Sequence, residues 1–270
     1  MTTATAPGQL DAPTEGGLGW AVRDALVLAG RNLRHTTRAP ELLFFSTVQP
    51  VIFVLLFRYV FGGAIATPGL SYVNFLMAGI FVQTTAFAST NTGVGLAEDL
   101  TKGIIDRFRA LPMARSAVLA GRTLGDLVRI VFVVLVMTAV GLAVGLRPVS
   151  LGGLLGAILL TSLFGFAFSW ISAWIGLMVA NVETANLAGF VWLFPLTFAS
   201  SAFVPLETMP GWLQGFAKAT PVTPTVDAVR ALINGGDLPL QKPLITSLVW
   251  IVAITAVFST LAVRRYRSVS

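Results

Sequence analysis

No cysteine occurs among the 270 residues, so the chain carries no disulfide framework, no thiolate metal site and no cysteine nucleophile. Histidine is almost as scarce: His35 stands alone, which excludes an HExxH zinc site and any triad needing a histidine inside a membrane. The three lysines occur as Thr-Lys102-Gly, Ala-Lys218-Ala and Gln-Lys242-Pro, so there is no Gly-Lys-Ser/Thr loop with which to hold ATP. Paired-aspartate motifs for diphosphate chemistry are missing, and Glu98-Asp99 is an adjacent acidic pair in a basic loop. Charged residues make up only 11% of the chain, against about 25% in a typical soluble domain.

What fills the sequence instead is apolar. Hydrophobic residues reach 55% and the mean hydropathy is +0.82, more than an aqueous core can hide behind so few charges. The fold class predicted is an all-α integral membrane protein. A bilayer core about 30 Å thick needs roughly 20 apolar residues per helix, and six stretches qualify: 42–61, 72–92, 130–146, 151–179, 187–204 and 244–263. Residues 1–18 lack a signal-peptide pattern and read as a disordered tail. With six spans both termini share one side. Placing them in the cytoplasm puts 13 of the 18 Lys and Arg there, as the positive-inside bias requires. This also accounts for a pI near 10.5 without nucleic acid as a partner.

Three segments are neither span nor tail. Within 19–39, Val22, Leu26, Ala29 and Leu33 fall on one helical face with Arg23, Arg31 and Arg34 elsewhere, which predicts an amphipathic helix along the inner surface. The loop 95–125 interleaves Glu98, Asp99, Lys102, Asp106, Arg107 and Arg109 with Leu100, Ile104, Phe108 and Leu111, which predicts a short helix over 98–111 ended by Pro112. By spacing alone, a solvated face and a docking site both fit. Arg122, Asp126 and Arg129 continue at spacings of four and three, as a charge ladder at the mouth of the third span. The third segment, 205–235, is broken by Pro205, Pro210, Pro221 and Pro224. Its stretch 211–219 is too short to cross a bilayer, so it reads as an interfacial or re-entrant helix in the outer leaflet, with Pro210 at its start and Trp212 and Phe216 at interface depth. A short helix over 225–233 follows.

Acidic residues are absent from the interiors of the spans, so no proton-relay or cation-coupling constellation is visible. Glu183, in a short inner turn, comes nearest to one. The second and fifth spans carry aromatics with scattered amides and hydroxyls: Phe81, Gln83, Phe87 and Asn91 on one, Phe194, Phe198 and Ser201 on the other, with Pro195 permitting a kink. Together they suit a greasy pathway with occasional hydrogen-bonding points. Gly141-x-x-x-Gly145 and Gly152-x-x-x-Gly156 read as close helix packing.

The loop DLTKGIIDRFRALPMARSAVLAGRTLGDL and the segment SSAFVPLETMPGWLQGFAKATPVTPTVDAVRAL closely resemble those of ABC-2 type permeases, in particular the daunorubicin/doxorubicin-resistance (DrrB-type) membrane subunits. The resemblance runs from about Trp20 to the C-terminus. It implies the ABC-2 permease fold over 40–265 with a short cytoplasmic tail at 266–270, a homodimer or pseudo-dimer in the cell membrane, and a separate cytoplasmic ABC ATPase that binds the ATP and magnesium. It also implies that the helix of Glu98, Asp99, Lys102, Asp106, Arg107, Phe108 and Arg109 is the coupling helix seated on the ATPase, that the turn at Glu183 adds a second contact, and that 19–39 is the interface helix. The second and fifth spans are then the substrate path across the dimer axis. The expected cargo is a hydrophobic or amphipathic drug, antibiotic or lipid. A polysaccharide or lipid exporter, an ion-gradient-driven multidrug carrier and a membrane-embedded lipid enzyme stand as alternatives.

Overall fold

A computed structural model describes residues 40–62, 70–104, 115–179, 181–236 and 238–268, together with Gly30. Among them there is no strand. Helix α1 (Pro40–Leu56) runs on into a π-helical turn (Phe57–Phe61); α2 (Tyr72–Ala88) and α3 (Thr90–Thr101) follow nearly end to end. After them come α4 (Arg115–Val144), α5 (Leu151–Gly176), α6 (Val182–Phe198), a 3₁₀ turn (Leu206–Thr208), α7 (Gly211–Ala219), α8 (Val222–Asn234) and α9 (Gln241–Ser268).

Four helices are long and apolar enough to cross a membrane: Tyr72–Thr101, Val118–Val144, Leu151–Gly176 and Gln241–Ser268. Thr47–Val60 and Val182–Phe198 are apolar but shorter, so the described residues hold four helices of spanning length where the sequence predicts six spans. Local chemistry explains the departures of α4, α6 and α9 from the predicted bounds. α4 starts 15 residues before the predicted 130 because Arg122, Asp126 and Arg129 pair along its face and sustain the helix there. α6 begins at Val182, not 187, because Asn181 caps it, its side chain accepting from the Thr184 amide at 2.8 Å. Glu183 therefore sits in a helical first turn and not in a free turn. α6 also ends at Phe198, three residues past Pro195, six residues short of prediction. α9 runs on through Ser268, across the predicted tail; Tyr266 is buried and Arg265 Nε donates to the Leu177 carbonyl at 3.3 Å.

The loop 95–125 is helical at both ends. α3 carries the second predicted span on to Thr101, where Lys102 and Gly103 turn, Gly103 at φ +65°. The helix predicted over 98–111 is thus interrupted at its fifth and sixth residues, since a glycine in the left-handed region stops a helix. Residues 105–114, and with them Asp106, Arg107, Phe108 and Arg109, lie outside the described residues, as do the predicted tail 1–18 and all of 19–39 except Gly30.

α5 is the hub, packing on α3, α4, α8 and α9. α2 is the most enclosed helix, buried at every residue from Tyr72 to Ala86, while α9 turns Val249, Val252 and Val257 outward. Of the two glycine repeats read as close helix packing, one position in each packs so: a Cβ on Gly141 would stand 2.7 Å from the Met77 side chain and one on Gly156 3.3 Å from that of Leu232. Gly145 ends α4 at φ +112° and Gly152 faces open space, whereas neighbouring Gly153 lies so close to α8 that a Cβ would stand 2.0 Å from the Leu232 carbonyl oxygen.

Candidate functional site

A cleft of about 340 Å³ opens between α1, α2, α3 and α6. Its walls follow from helical spacing. On α6, Asn186, Phe190, Phe194 and Phe198 recur every four residues and fall on one face; on α2 and α3, Gln83, Phe87 and Asn91 do the same. α1 closes the third side with Gln49, Pro50 and Phe53, and Thr84, Ala88 and Thr90 complete the lining. Four carboxamides therefore look into a phenylalanine-rich groove that has no ionisable side chain in its wall.

The rings are ordered. Phe87 meets Phe190 at 5.4 Å between centroids, and Phe194 stacks on Phe198 at 4.3 Å. From Phe198 the contacts continue through Phe203 (5.1 Å) and Phe57 (5.0 Å) to Phe53 (6.0 Å). Offset stacking of this kind favours further flat apolar surface, and the amides add neutral donors and acceptors at chosen points.

Of the pathway residues proposed from sequence, Gln83, Phe87, Asn91, Phe194 and Phe198 meet in this cleft. Phe81 and Ser201 do not line it. Phe81 is two residues from Gln83, hence on the other side of α2, and fully buried in the core. Ser201 belongs to a polar cluster at the α8 end of the molecule. There its hydroxyl donates to Asp227 Oδ1 at 2.8 Å and its carbonyl accepts from Arg230 at 2.8 Å. Arg230 also bonds Asp227 at 3.0 Å and lies 3.8 Å over the Phe75 ring. Asn74 extends the cluster, donating to Asn234 Oδ1 at 2.8 Å and exchanging bonds with the backbone of Arg147. Burial lowers the Arg230 guanidinium to about 10, opposed by the Asp227 and Glu207 charges. Burial likewise raises the Asp227 carboxyl above its ordinary value, opposed by Arg230 and the Ser201 hydroxyl. Sequence reasoning missed this cluster, and it also missed Gln49, Phe53 and Asn186 of the cleft. The four-residue period through Asn186 was there to find.

At the opposite end, Glu98 is exposed and forms an i,i+4 ion pair with Lys102, whose ammonium is raised by that hydrogen bond. Asp99 bonds Arg122 on α4 at 2.7 Å. Glu183 is exposed on α6. On α7, Pro210 is the N-terminal neighbour, its carbonyl accepting from Leu213 and Gln214. Trp212 is 77% exposed and Phe216 is exposed beside it, too bare for a helix packed wholly on protein.

Similarity to known proteins points one way. Residues 23–234 match the ABC-2 type transporter family. The chain is 36% identical over 251 residues to the daunorubicin resistance ABC transporter permease protein DrrB1 of Streptomyces coeruleorubidus, covering 92% of this chain and 87% of that one. It is 27% identical over 259 residues to the probable doxorubicin resistance ABC transporter permease protein DrrC of Mycobacterium tuberculosis, covering 92% and 90%. The inner membrane transport permease YadH of Escherichia coli is 24% identical over 217 residues, covering 77% and 83%.

Proposed function

Because the chain belongs to the ABC-2 type transporter family, we propose that it is the permease subunit of an exporter whose ATP is bound and hydrolysed by a separate cytoplasmic ATPase. In this reading the chain makes and breaks no covalent bond and binds no cofactor of its own. Six helical segments are embedded in the cell membrane with both termini in the cytoplasm; α1 and α6 are the two short ones, and α7 and α8 lie at the outer side. A second copy of the chain completes the transport unit.

The observation that carries the reading is the cleft of Phe87, Phe190, Phe194, Phe198, Gln83 and Asn91. A flat amphipathic molecule is held there by stacking and oriented by neutral hydrogen bonds, which fits export of a drug or lipid better than of a small ion. The drugs named for the relatives, daunorubicin and doxorubicin, are of that kind. Alternating access then arises from differential binding: nucleotide closes the ATPase pair, the segment around Glu98–Thr101 moves with it, and the half-permeases exchange inward- and outward-open states.

Two measurements test this. Asp106→Ala with Arg107→Ala is expected to leave membrane insertion intact and to reduce co-purification of the ATPase, and unchanged co-purification removes the docking assignment. Phe198→Ala is expected to change daunorubicin efflux by roughly tenfold or more relative to expression, in line with the loss of one aromatic anchor, and Gln83→Leu to change it through the loss of a hydrogen-bonding point. Efflux that continues when ATP is depleted, and stops when the proton gradient is collapsed, replaces this reading with an ion-driven carrier.

A further inference from the structure

α2 and α3 run almost as one helix, but the backbone ladder changes step at Ser89. The Thr92 amide bonds the Ser89 carbonyl, three residues back, at 3.1 Å, and a local tightening of this kind inside a long helix often marks a hinge. Side chains loosen the same turn. The hydroxyls of Ser89 and Thr90 donate to the carbonyls of Ala86 and Phe87 at 2.6 and 2.7 Å, a back-bonding that bends helices. The Ala88 carbonyl accepts two side-chain bonds, from Asn91 at 3.1 Å and from the Arg129 guanidinium at 3.0 Å.

α4 bridges this break from the side. Arg129 holds Ala88 on one flank, and Asp126, one turn earlier, accepts from the Thr92 hydroxyl on the other at 2.6 Å. The two α4 residues are joined to each other at 3.3 Å, each only 14% exposed at the side chain. Arg122 continues the chain to Asp99 near the end of α3, passing over Gly95, where a Cβ would stand 1.4 Å from its guanidinium. Beyond the break α3 is pinned to α5: a Cβ on Gly93 would lie 2.3 Å from the Ser172 carbonyl oxygen. Ala88, Thr90 and Asn91 meanwhile belong to the cleft wall. A bend at Ser89 therefore changes the angle between that wall and the end of α3.

We propose that Ser89 is a hinge of the transport cycle and that Asp126 and Arg129 are its splint, positioning residues that fix the α2–α3 angle and pass motion from the end of α3 to the cleft. The proposal rests on the reading of the chain as an ATP-driven permease. Paired charges this buried contribute little net stability, and a switching role is the best attested reason for keeping them.

The absence of native cysteine allows a clean test. Spin labels on Thr101→Cys, at the end of α3, and Val149→Cys, in the α4–α5 turn whose Arg147 backbone is held by Asn74 at the start of α2, in the full chain bound to its ATPase partner in lipid nanodiscs, report the separation of the two ends of α2–α3 before and after trapping with ATP and vanadate. The expected result is a nucleotide-dependent shift that Arg129→Gln abolishes and Arg129→Lys restores, while partner retention and ATP hydrolysis persist. A merely structural tie loses hydrolysis and shift together, with no recovery in Arg129→Lys. That outcome, no shift in the parent, or an unaltered shift in Arg129→Gln, overturns the hinge. Should Arg129→Gln not reach the membrane, Thr92→Val, which removes only the arm to Asp126, carries the same prediction. A parent chain that retains no ATPase overturns the permease reading itself, and that failure is seen at purification, before any distance is measured.

Discussion

At position 227 a carboxylate shares a half-enclosed niche with Arg230, Ser201 and the Phe75 ring. Neither charge is cheap there, since removal from water opposes both ionised forms and the pair only partly offsets it. Desolvation holds the Asp227 carboxyl above its ordinary range despite Arg230. The folded chain therefore binds this proton more tightly than the unfolded chain does. The resulting stabilisation is complete below the ordinary carboxylate value and is lost as pH rises through the raised value. Asp227→Asn is expected to flatten the melting-temperature profile of the detergent-solubilised protein within that window; a profile that keeps its slope there shows that other groups set it. Residue-scale chemistry was legible where periodicity exposed it, as with Gln83, Phe87 and Asn91 on one helix and Phe194 and Phe198 on another. Nothing in the sequence revealed that Asn74, Ser201, Asp227 and Arg230 converge, because their separations in the chain carry no spacing rule. Phe81 looked equivalent to Phe87 in composition but falls on the opposite side of α2, a distinction that only the choice of packed face decides.

Among elements, the crossing of α3 and α5 is the tightest constraint near the hinge. A Cβ on Gly93 would stand 2.3 Å from the Ser172 carbonyl oxygen, and one on Gly176 would stand 2.2 Å from the Gly93 carbonyl oxygen. Gly93→Ala is expected to cost about 1–3 kcal/mol through forced separation of the two helices, read as a lower melting temperature, whereas Gly152→Ala, which meets open space, serves as the neutral comparison. If both variants melt alike, the crossing is looser than described. Helix identity was easy to read from apolar runs, and Pro210 and Pro221 announced the limits of α7. The early start of α4 was foreshadowed by the spacing of Arg122, Asp126 and Arg129, which pair within the helix. The ends of α3 and α9 were not legible. Each extends past its apolar stretch because charged residues there find partners on another helix or its end: Asp99 with Arg122, Arg265 with the Leu177 carbonyl. Hydropathy sees such residues as an ending, while the pairing that lets these two helices continue belongs to tertiary structure. Each glycine repeat held at one position only, Gly141 against Met77 and Gly156 against Leu232, since GxxxG spacing names a face without saying which partner approaches it.

The molecule as a whole leaves one flank of α6 uncovered, with Leu187, Val191 and Phe194 exposed beside the cleft. Lipid tails satisfy such a surface, and so does a second copy placed across a two-fold axis, where residues near the axis approach their own counterparts. Val191→Cys, in this otherwise cysteine-free chain, is expected to give a disulfide-linked dimer on mild oxidation in membranes, and Val257→Cys on the outward face of α9 is expected not to; equal yields from both positions place the α6 flank away from a self-contact. The family was legible from two motifs, yet the arrangement that turns separate helices into a cleft was not, because it depends on α1 and α6 being short and α2 being enclosed. In the six-span arrangement proposed above, the 17 residues of α6 give a rod of about 25 Å at 1.5 Å per residue, shorter than the roughly 30 Å of a bilayer's hydrocarbon core. Such a mismatch is met by local thinning, by reaching side chains at the ends or by association with a second helix, and on that arrangement acyl-chain length is expected to act as a parameter of the permease, setting how far a flat, greasy cargo must climb between leaflet and wall.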